Sequence, residues 1–347
     1  MSKAQIFDTI EYIKSLTPRR VFNIFKVYVS YVISKMLKKN LHRGNPISVS
    51  IEPTTACNLR CPECPSGMRS FSRPTGSLDV ELNISIIDQL KEDLTYITYY
   101  FQGEPYLNQD FTRMVSYASK VKIYTATSTN GHYLTDENCK KTIESGLKKI
   151  IVSVDGVSQS SFAKYRVGGN LEKVIEGTKN ILHWKKKLGS RTPLVEWQFI
   201  VFSHNEHEIE RVNDLAKDLA VDRLTIKTAQ IYDFENGNEL IPINNEYSRY
   251  RKNQDRFTIK NRLLNHCWRM WSGCVITWDG KVVPCCFDKD GAYQLGKLEN
   301  MTFKSIWEGV DYNRFRKLIL KSRSNIDICR NCSEGTKKLE MKDEFYF

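Results

Sequence analysis

From residue 47 onward the chain alternates between two hydrophobic rhythms. Short runs of apolar and β-branched residues lie at 47–53, 96–102, 121–128, 149–155, 194–202 and 223–228. Period-two or continuous apolar runs of this length predict strands. Between them, near 82–94, 109–120, 136–146, 171–187 and 207–219, apolar positions recur every three or four residues, which predicts helices. Asp110, Thr135, Asn170 and Asn205 stand where helix N-caps belong. Repeated strand–helix units imply parallel strands joined by right-handed crossovers. Upstream, Arg19–Lys39 has helical spacing of another kind. Asn23, Lys26, Ser30, Ser34 and Lys38 form a narrow polar stripe, and Val21, Phe22, Phe25, Val29, Val32, Ile33 and Met36 belong to a broad apolar face. Lys26 and Lys35 interrupt this run, so it is no membrane span. It also lacks the small-residue cleavage site of a signal peptide. Basic flanks suit a helix lying on a membrane surface. Packing on the body of the protein or on a second subunit is the other expectation.

Cysteine placement sharpens the picture. Of ten cysteines, nine fall in 57–64 and 267–332, and Cys139 stands apart. Such clustering points to metal ligands in a reducing, cytoplasmic compartment rather than to a disulfide scaffold. Immediately after the first predicted strand comes Cys57-Asn-Leu-Arg-Cys61-Pro-Glu-Cys64. Soft thiolates suit iron–sulfur clusters. Three of them on a four-iron cluster leave one iron open, and an open position is where chemistry takes place. Zinc with a fourth ligand from elsewhere is the plainer alternative. The formal charge of +12 favours acidic partners or anionic surfaces. No nucleic-acid-binding motif accompanies it, so nucleic acid is not expected.

The C-x3-C-x2-C triplet resembles the signature of radical S-adenosylmethionine (SAM) enzymes. That resemblance implies an α/β fold built on a partial (βα)6 barrel, with the chemistry at the carboxyl ends of the strands. It also implies a SAM-binding 4Fe-4S cluster and SAM itself, reductively cleaved to a 5'-deoxyadenosyl radical. Gln102-Gly103-Glu104-Pro105 resembles the family's Gly-Gly-Glu-Pro turn with the first glycine replaced. By this resemblance Gly103, Glu104 and Pro105 serve the SAM amino group, and Asn130 of Ser128-Thr129-Asn130-Gly131 joins them. Ser153 and Asp155 serve the ribose, Arg166 pairs with the SAM carboxylate, and backbone amides within 198–201 meet the adenine. Glu63 stands where the family often has an aromatic residue.

The carboxyl-terminal third carries Cys267, Cys274, Cys285, Cys286, Cys329 and Cys332. Val275–Val283 reads as a hairpin with an Asp279-Gly280 turn, which brings Cys267 and Cys285 together. The layout resembles the SPASM and Twitch extensions, which hold auxiliary 4Fe-4S clusters, and is most like Twitch. It implies one second, auxiliary cluster on Cys267, Cys285, Cys329 and Cys332. Cys274 and Cys286 remain as buried small hydrophobes or substitute ligands, and a zinc ribbon remains open for this group.

Three regions follow: an amphipathic segment over 1–46, a core barrel over 47–235 and a SPASM/Twitch β-hairpin–helix extension over 236–347. The expected function is an oxidoreductase that abstracts a hydrogen atom and passes the substrate electron to the auxiliary cluster. Expected substrates are a small-molecule sugar or cyclitol, or a lipid-linked glycan. Peptide maturation and a zinc-stabilised binding module are the alternatives. Reduced flavodoxin or ferredoxin is the expected electron donor. Peripheral contact with the inner face of a membrane goes with the leading helix. Glu63, Asp288 and Tyr293 stand as acid–base candidates.

Overall fold

A computed structural model describes residues 3–333 and the backbone of 343–345. Six parallel strands form its centre: β1 (Ser48–Ile51), β2 (Tyr96–Tyr99), β3 (Tyr124–Thr129), β4 (Lys149–Ser153), β5 (Leu194–Val201) and β6 (Arg223–Thr228). They lie side by side in chain order, each pair in parallel register, as in Val49↔Ile97 and Ile97↔Thr125. The alternating rhythm predicts these parallel strands, and their order fits the partial (βα)6 barrel that the resemblance implies. Both faces of these strands are covered, so their residues are apolar or β-branched rather than strictly alternating.

The helices agree with expectation to within a turn, and their caps divide. Thr135 and Asn170 accept from the amides of Asn138 and Lys173. Asp110 makes no side-chain cap bond. Asn205 is not a cap either: its amide group donates to Asp155 O and Ile200 O, and its oxygen accepts from Phe202 N. It staples the end of β5 to the loop after β4. The tight helical turns Pro65–Met68 and Gln159–Tyr165 have no lengthy apolar period and went unforeseen.

The hairpin forms, in a place that patterning does not reveal. Gly273–Ile276 pairs parallel with β1 (Val49↔Cys274), and Lys281–Val283 returns antiparallel to it. The sheet therefore continues from the barrel into the auxiliary region without a break. Gly280 closes the turn at φ 78°, where a side chain is strained. At the far edge Asp343–Phe345 pairs antiparallel with β6; the rest of the tail beyond 333 lies outside the described residues.

Two helices precede the barrel, α1 (Lys3–Ile13) and α2 (Pro18–Leu37). The first was not anticipated. It closes the amino end of the strands: Asp8 takes Lys149 at 2.6 Å and the Tyr124 hydroxyl, and Glu11 takes Lys148 at 2.9 Å. Tyr12 sets its ring edge-on to Tyr124, centroids 6.0 Å apart, and Tyr124 stacks on Tyr96 at 4.9 Å. Above this floor a cavity of about 590 Å³ follows β1 and β2 from Tyr12 to Cys285 and Cys286. The second helix lies against the barrel with its polar stripe, not its apolar face, turned inward. No described helix is long and apolar enough to cross a membrane.

Candidate active site at the carboxyl ends of the strands

The groups that the resemblance places near SAM sit where strands end, except Arg166, which follows the helical turn Gln159–Tyr165. The cysteine loop leaves β1 and is gripped at once by the loop after β2. Glu104 N–H donates to Ala56 O at 2.7 Å, and Gly103 stands at φ 73° with its α-carbon pressed on the same segment. A Cβ there would lie 2.2 Å from Thr54 O. Glycine is thus required at Gly103 by close approach and by backbone angle together. Gln102, where the family's first glycine belongs, turns its amide back to Phe101 O and meets the Cys64 thiol at 3.8 Å.

Glu104 is completely buried. Its carboxylate accepts from Thr129 Oγ1 at 2.8 Å, Asn130 N at 2.7 Å and Tyr106 N at 3.3 Å. Burial outweighs these donors and pushes its pKa up to about 7. Pro105 follows in the short helical turn Pro105–Leu107, which Glu104 itself caps. Asn130 then reaches back from β3, donating to Asn58 Oδ1 at 2.7 Å and approaching Cys57 Sγ at 3.9 Å. The ends of β1, β2 and β3 are thereby tied into one polar knot.

Asp155 and Arg166 close the circle on the β4 side. Arg166 holds Asp155 Oδ2 with Nε and Nη2, both at 2.6 Å. The other Asp155 oxygen accepts from Ile200 N at 2.8 Å. Asp155 therefore fastens β4 to β5, and the Ile200 amide expected at the adenine is already engaged. Arg166 is an ion-pair partner, and its remaining Nη1 edge faces Cys61 Sγ at 3.9 Å. Ser153 is buried at the end of β4, in register with Gln198.

The three thiols of the triplet influence one another electrostatically, with Arg166 and Glu104 among their neighbours. All ten cysteines are free of disulfides. Burial pushes the Cys61 thiol up to about 11, so as a thiol it is protonated at neutral pH. Bound metal would hold it as thiolate and release that proton. Among the described residues no three His, Cys, Asp or Glu side chains close on a single metal ion. A soft three-sulfur set with N–H donors aimed at it suits an iron–sulfur cluster.

The second group assembles across three segments. Cys285 feels Cys267 and Cys332, and Cys329 feels Cys267. The buried Arg323 lies beneath them, donating to Cys332 Sγ at 3.2 Å and His266 O at 3.0 Å. Its guanidinium offsets the negative charge that thiolates bring. Nothing in the spacing singles out Arg323, since it reaches the site only when the helix Val310–Ser322 ends beside Cys267. Cys274 sits apart, wholly buried against Tyr312 and Arg316. Cys286 packs on Phe101, Val275 and Val283, and its thiol acts on that of Cys285.

The two groups face common ground. The loop after Cys286 lies on the loop after Cys64: Asp290 accepts from Ser72 N at 2.9 Å, and Arg73 Nε donates to Lys289 O at 3.3 Å. Arg73 also forms a buried ion pair with Glu52 at the end of β1, with Nη1 to Oε2 at 2.8 Å. Lys289 reaches between Cys64, Cys286 and Glu63, and burial holds its ammonium below the usual lysine range. Glu63 accepts from Tyr232 N at 2.8 Å and stays beside this space. Asp288 does not: it organises its own loop by accepting from Ala292 N and Tyr293 N. Tyr293 is spent on Asp327 at 2.6 Å.

Comparison with known proteins decides the family. The Radical SAM superfamily model matches residues 51–216, and the SPASM iron-sulfur cluster-binding domain model matches 267–333. The chain belongs to the radical SAM superfamily. Its cofactors are accordingly SAM, the 4Fe-4S cluster that binds it, and auxiliary iron–sulfur chemistry in the SPASM domain. A curated relative is the tungsten-containing aldehyde ferredoxin oxidoreductase cofactor-modifying protein of Pyrococcus furiosus. It is 24% identical over 315 residues, spanning 82% of this chain and 86% of that one. Streptococcus suis SuiB bound to S-adenosylmethionine superposes with a TM-score of 0.61 at 13% identity, over 85% of this chain and 73% of that one. Native anSMEcpe with bound AdoMet gives 0.57 at 20% identity, over 82% and 88%. BtrN in complex with AdoMet and 2-DOIA gives 0.50 at 18%, over 86% and 97%. These likenesses carry the fold.

Proposed function

We propose that this radical SAM protein is an oxidoreductase that removes hydrogen from an unactivated C–H bond of a sugar, cyclitol or lipid-linked glycan. One observation carries the reading: the loop after Cys286 is bonded to the loop after Cys64, so both cysteine groups open on one space. When bound, the cofactors supply hydrogen-atom abstraction at the triplet and an electron sink at the auxiliary site. The chain's own residues do the rest. Cys57, Cys61 and Cys64 would hold the first cluster, and Cys267, Cys285, Cys329 and Cys332 one auxiliary cluster. Gly103, Glu104, Pro105 and Asn130 shape one side of the SAM pocket. Ser153, Asp155 and Arg166 shape the other, with Asp155 fixing the guanidinium for a carboxylate. Lys289 and Glu63 line the substrate space, where a half-buried lysine can receive a proton or orient a hydroxyl.

An acidic flavodoxin or ferredoxin fits the basic surface as electron donor. A peptide side chain is the second reading, supported by the superposition with SuiB, which is recorded with its precursor peptide. The deciding experiment measures iron and SAM cleavage in anaerobically purified protein. Beside it stands a variant with Cys57, Cys61 and Cys64 all changed to alanine. About eight irons should fall to about four, and SAM cleavage should vanish. Retained cleavage, or zinc in both proteins, would overturn the reading. Turnover is then screened with polyols and with peptides, and oxidation of peptides alone would select the second reading.

A further inference from the structure

The leading helix α2 is mounted inside out. Its buried face carries Arg20, Asn23, Ser30 and Ser34, with Val27 among them. Arg20 donates to four backbone carbonyls: Ser15 at 2.6 Å, Lys122 at 2.7 Å, Lys91 at 2.6 Å and Val121 at 3.0 Å. Asn23 exchanges bonds with Asn45, 2.9 Å to its carbonyl and 2.8 Å from its amide. Ser30 and Ser34 bond Val27 O and Leu41 N. These contacts fix the helix's rotation. Turning it over would take the Arg20 guanidinium away from the carbonyls of Lys91, Val121 and Lys122 and set apolar side chains against them, a cost that burying apolar surface does not repay.

The opposite face is therefore held in water by design of the packing. Phe22 is 60% exposed, Phe25 61%, Tyr28 57% and Met36 75%, with Val21, Ile33 and Leu37 beside them. A contiguous apolar face of this kind marks an interaction site. From Pro18 to Arg43 the sequence has seven lysines and arginines and no acidic residue. At the helix's end a hollow of about 900 Å³ is ringed by Lys35, Lys38, Lys39, Lys317 and Lys321, with Leu264 among them.

We propose that the outer face of α2 seats on an anionic lipid bilayer, with phospholipid headgroups entering the lysine-ringed hollow. The apolar side chains enter the boundary of the acyl chains while the lysines meet lipid phosphate, which is how an interfacial helix binds. A second copy of the chain fits poorly. A two-fold contact through this face sets the same basic residues against themselves.

The test is vesicle flotation with the full, cluster-loaded chain. Vesicles of phosphatidylcholine are compared with vesicles of phosphatidylcholine and phosphatidylglycerol. The chain should float with the mixed vesicles, not with phosphatidylcholine alone, and added salt should release it. Phe22→Glu with Phe25→Glu should lower the bound fraction at least about tenfold. Lys38→Gln with Lys39→Gln should lower it about fivefold or more. All four side chains are exposed, and none belongs to the cysteine loop after β1, so SAM cleavage should persist and report that the variants are folded. Absence of flotation by folded protein would overturn the proposal, as would flotation that Phe22→Glu with Phe25→Glu leaves intact. So would a dimer, seen by sedimentation, that these glutamates dissociate while vesicles are ignored.

Discussion

The two cysteine groups are assembled in opposite ways. The triplet lies within eight consecutive residues of one loop, and its surroundings come from the ends of neighbouring parallel strands. The auxiliary group draws its four cysteines from segments spread over 267–332, brought together by a hairpin, a helix and a short chelating turn. The first site needs only local chain geometry to place its sulfurs, and it keeps one side open. The second needs segments far apart in the chain to fold together, with Arg323 bonded to Cys332 Sγ beside it. On the proposed ligand sets, three thiolates would leave an iron free for binding and reaction, whereas four would suit electron transfer. The difference teaches that a site built from one loop depends on local geometry, and a site built from distant segments on the tertiary fold.

Arg73 is where the two sites depend on each other, and its loss is the largest effect expected. Arg73→Ala strands the Glu52 carboxylate in the core and frees the loop at Lys289. Unfolding by denaturant should show a loss of about 3–5 kcal/mol. Glu52→Gln combined with Arg73→Met should recover most of it. A loss under about 1 kcal/mol would mean the two loops hold together without this pair.

Cys329→Ala separates the sites without that global cost. Iron should fall by about half while reductive SAM cleavage continues, and net substrate oxidation should stop. Cys286→Ala should leave iron unchanged, because that side chain packs on Phe101 and Val283. Iron lost in Cys286→Ala and kept in Cys329→Ala would reassign the ligand.

The smallest effect concerns the leader's hold on the auxiliary side. The His42 ring meets Trp307 edge-on at 5.2 Å, and its Nε2 lies 3.2 Å from Trp271 O. Burial, then the Arg316 charge, depress its pKa to about 3. The native state thus holds the neutral ring, while the unfolded chain takes up a proton near pH 6.5. Stability from this group is full above pH 6.5 and declines as pH falls toward 3. Between pH 7 and pH 5 about 2 kcal/mol should be lost. His42→Gln should flatten that part of the stability–pH curve, and an unchanged curve would remove His42 from the account.

Much of the molecule was legible before folding was considered. The period of each apolar run identified six strands and the helices between them, because a buried face must repeat with the geometry of its element. The triplet and the Gly103-Glu104-Pro105 turn were legible because ligand spacing and tight turns are local. Asn205 was misread as a cap, since an asparagine before a helix offers the same local bond that β4 and β5 claim first. Glu52, Arg73, Lys289 and Arg323 gave no signal at all: a charged residue shows its purpose only when its partner arrives from far along the chain.

The leader marks the same boundary most sharply. Its sequence alone determined a helix with one polar stripe and one broad apolar face. Which face turns inward was decided only in three dimensions, by carbonyls at Ser15, Lys91, Val121 and Lys122 waiting for Arg20. Periodicity measures how residues sort around an axis. Burial depends on what stands opposite, and an unsatisfied buried hydrogen-bonding group outweighs an exposed phenylalanine.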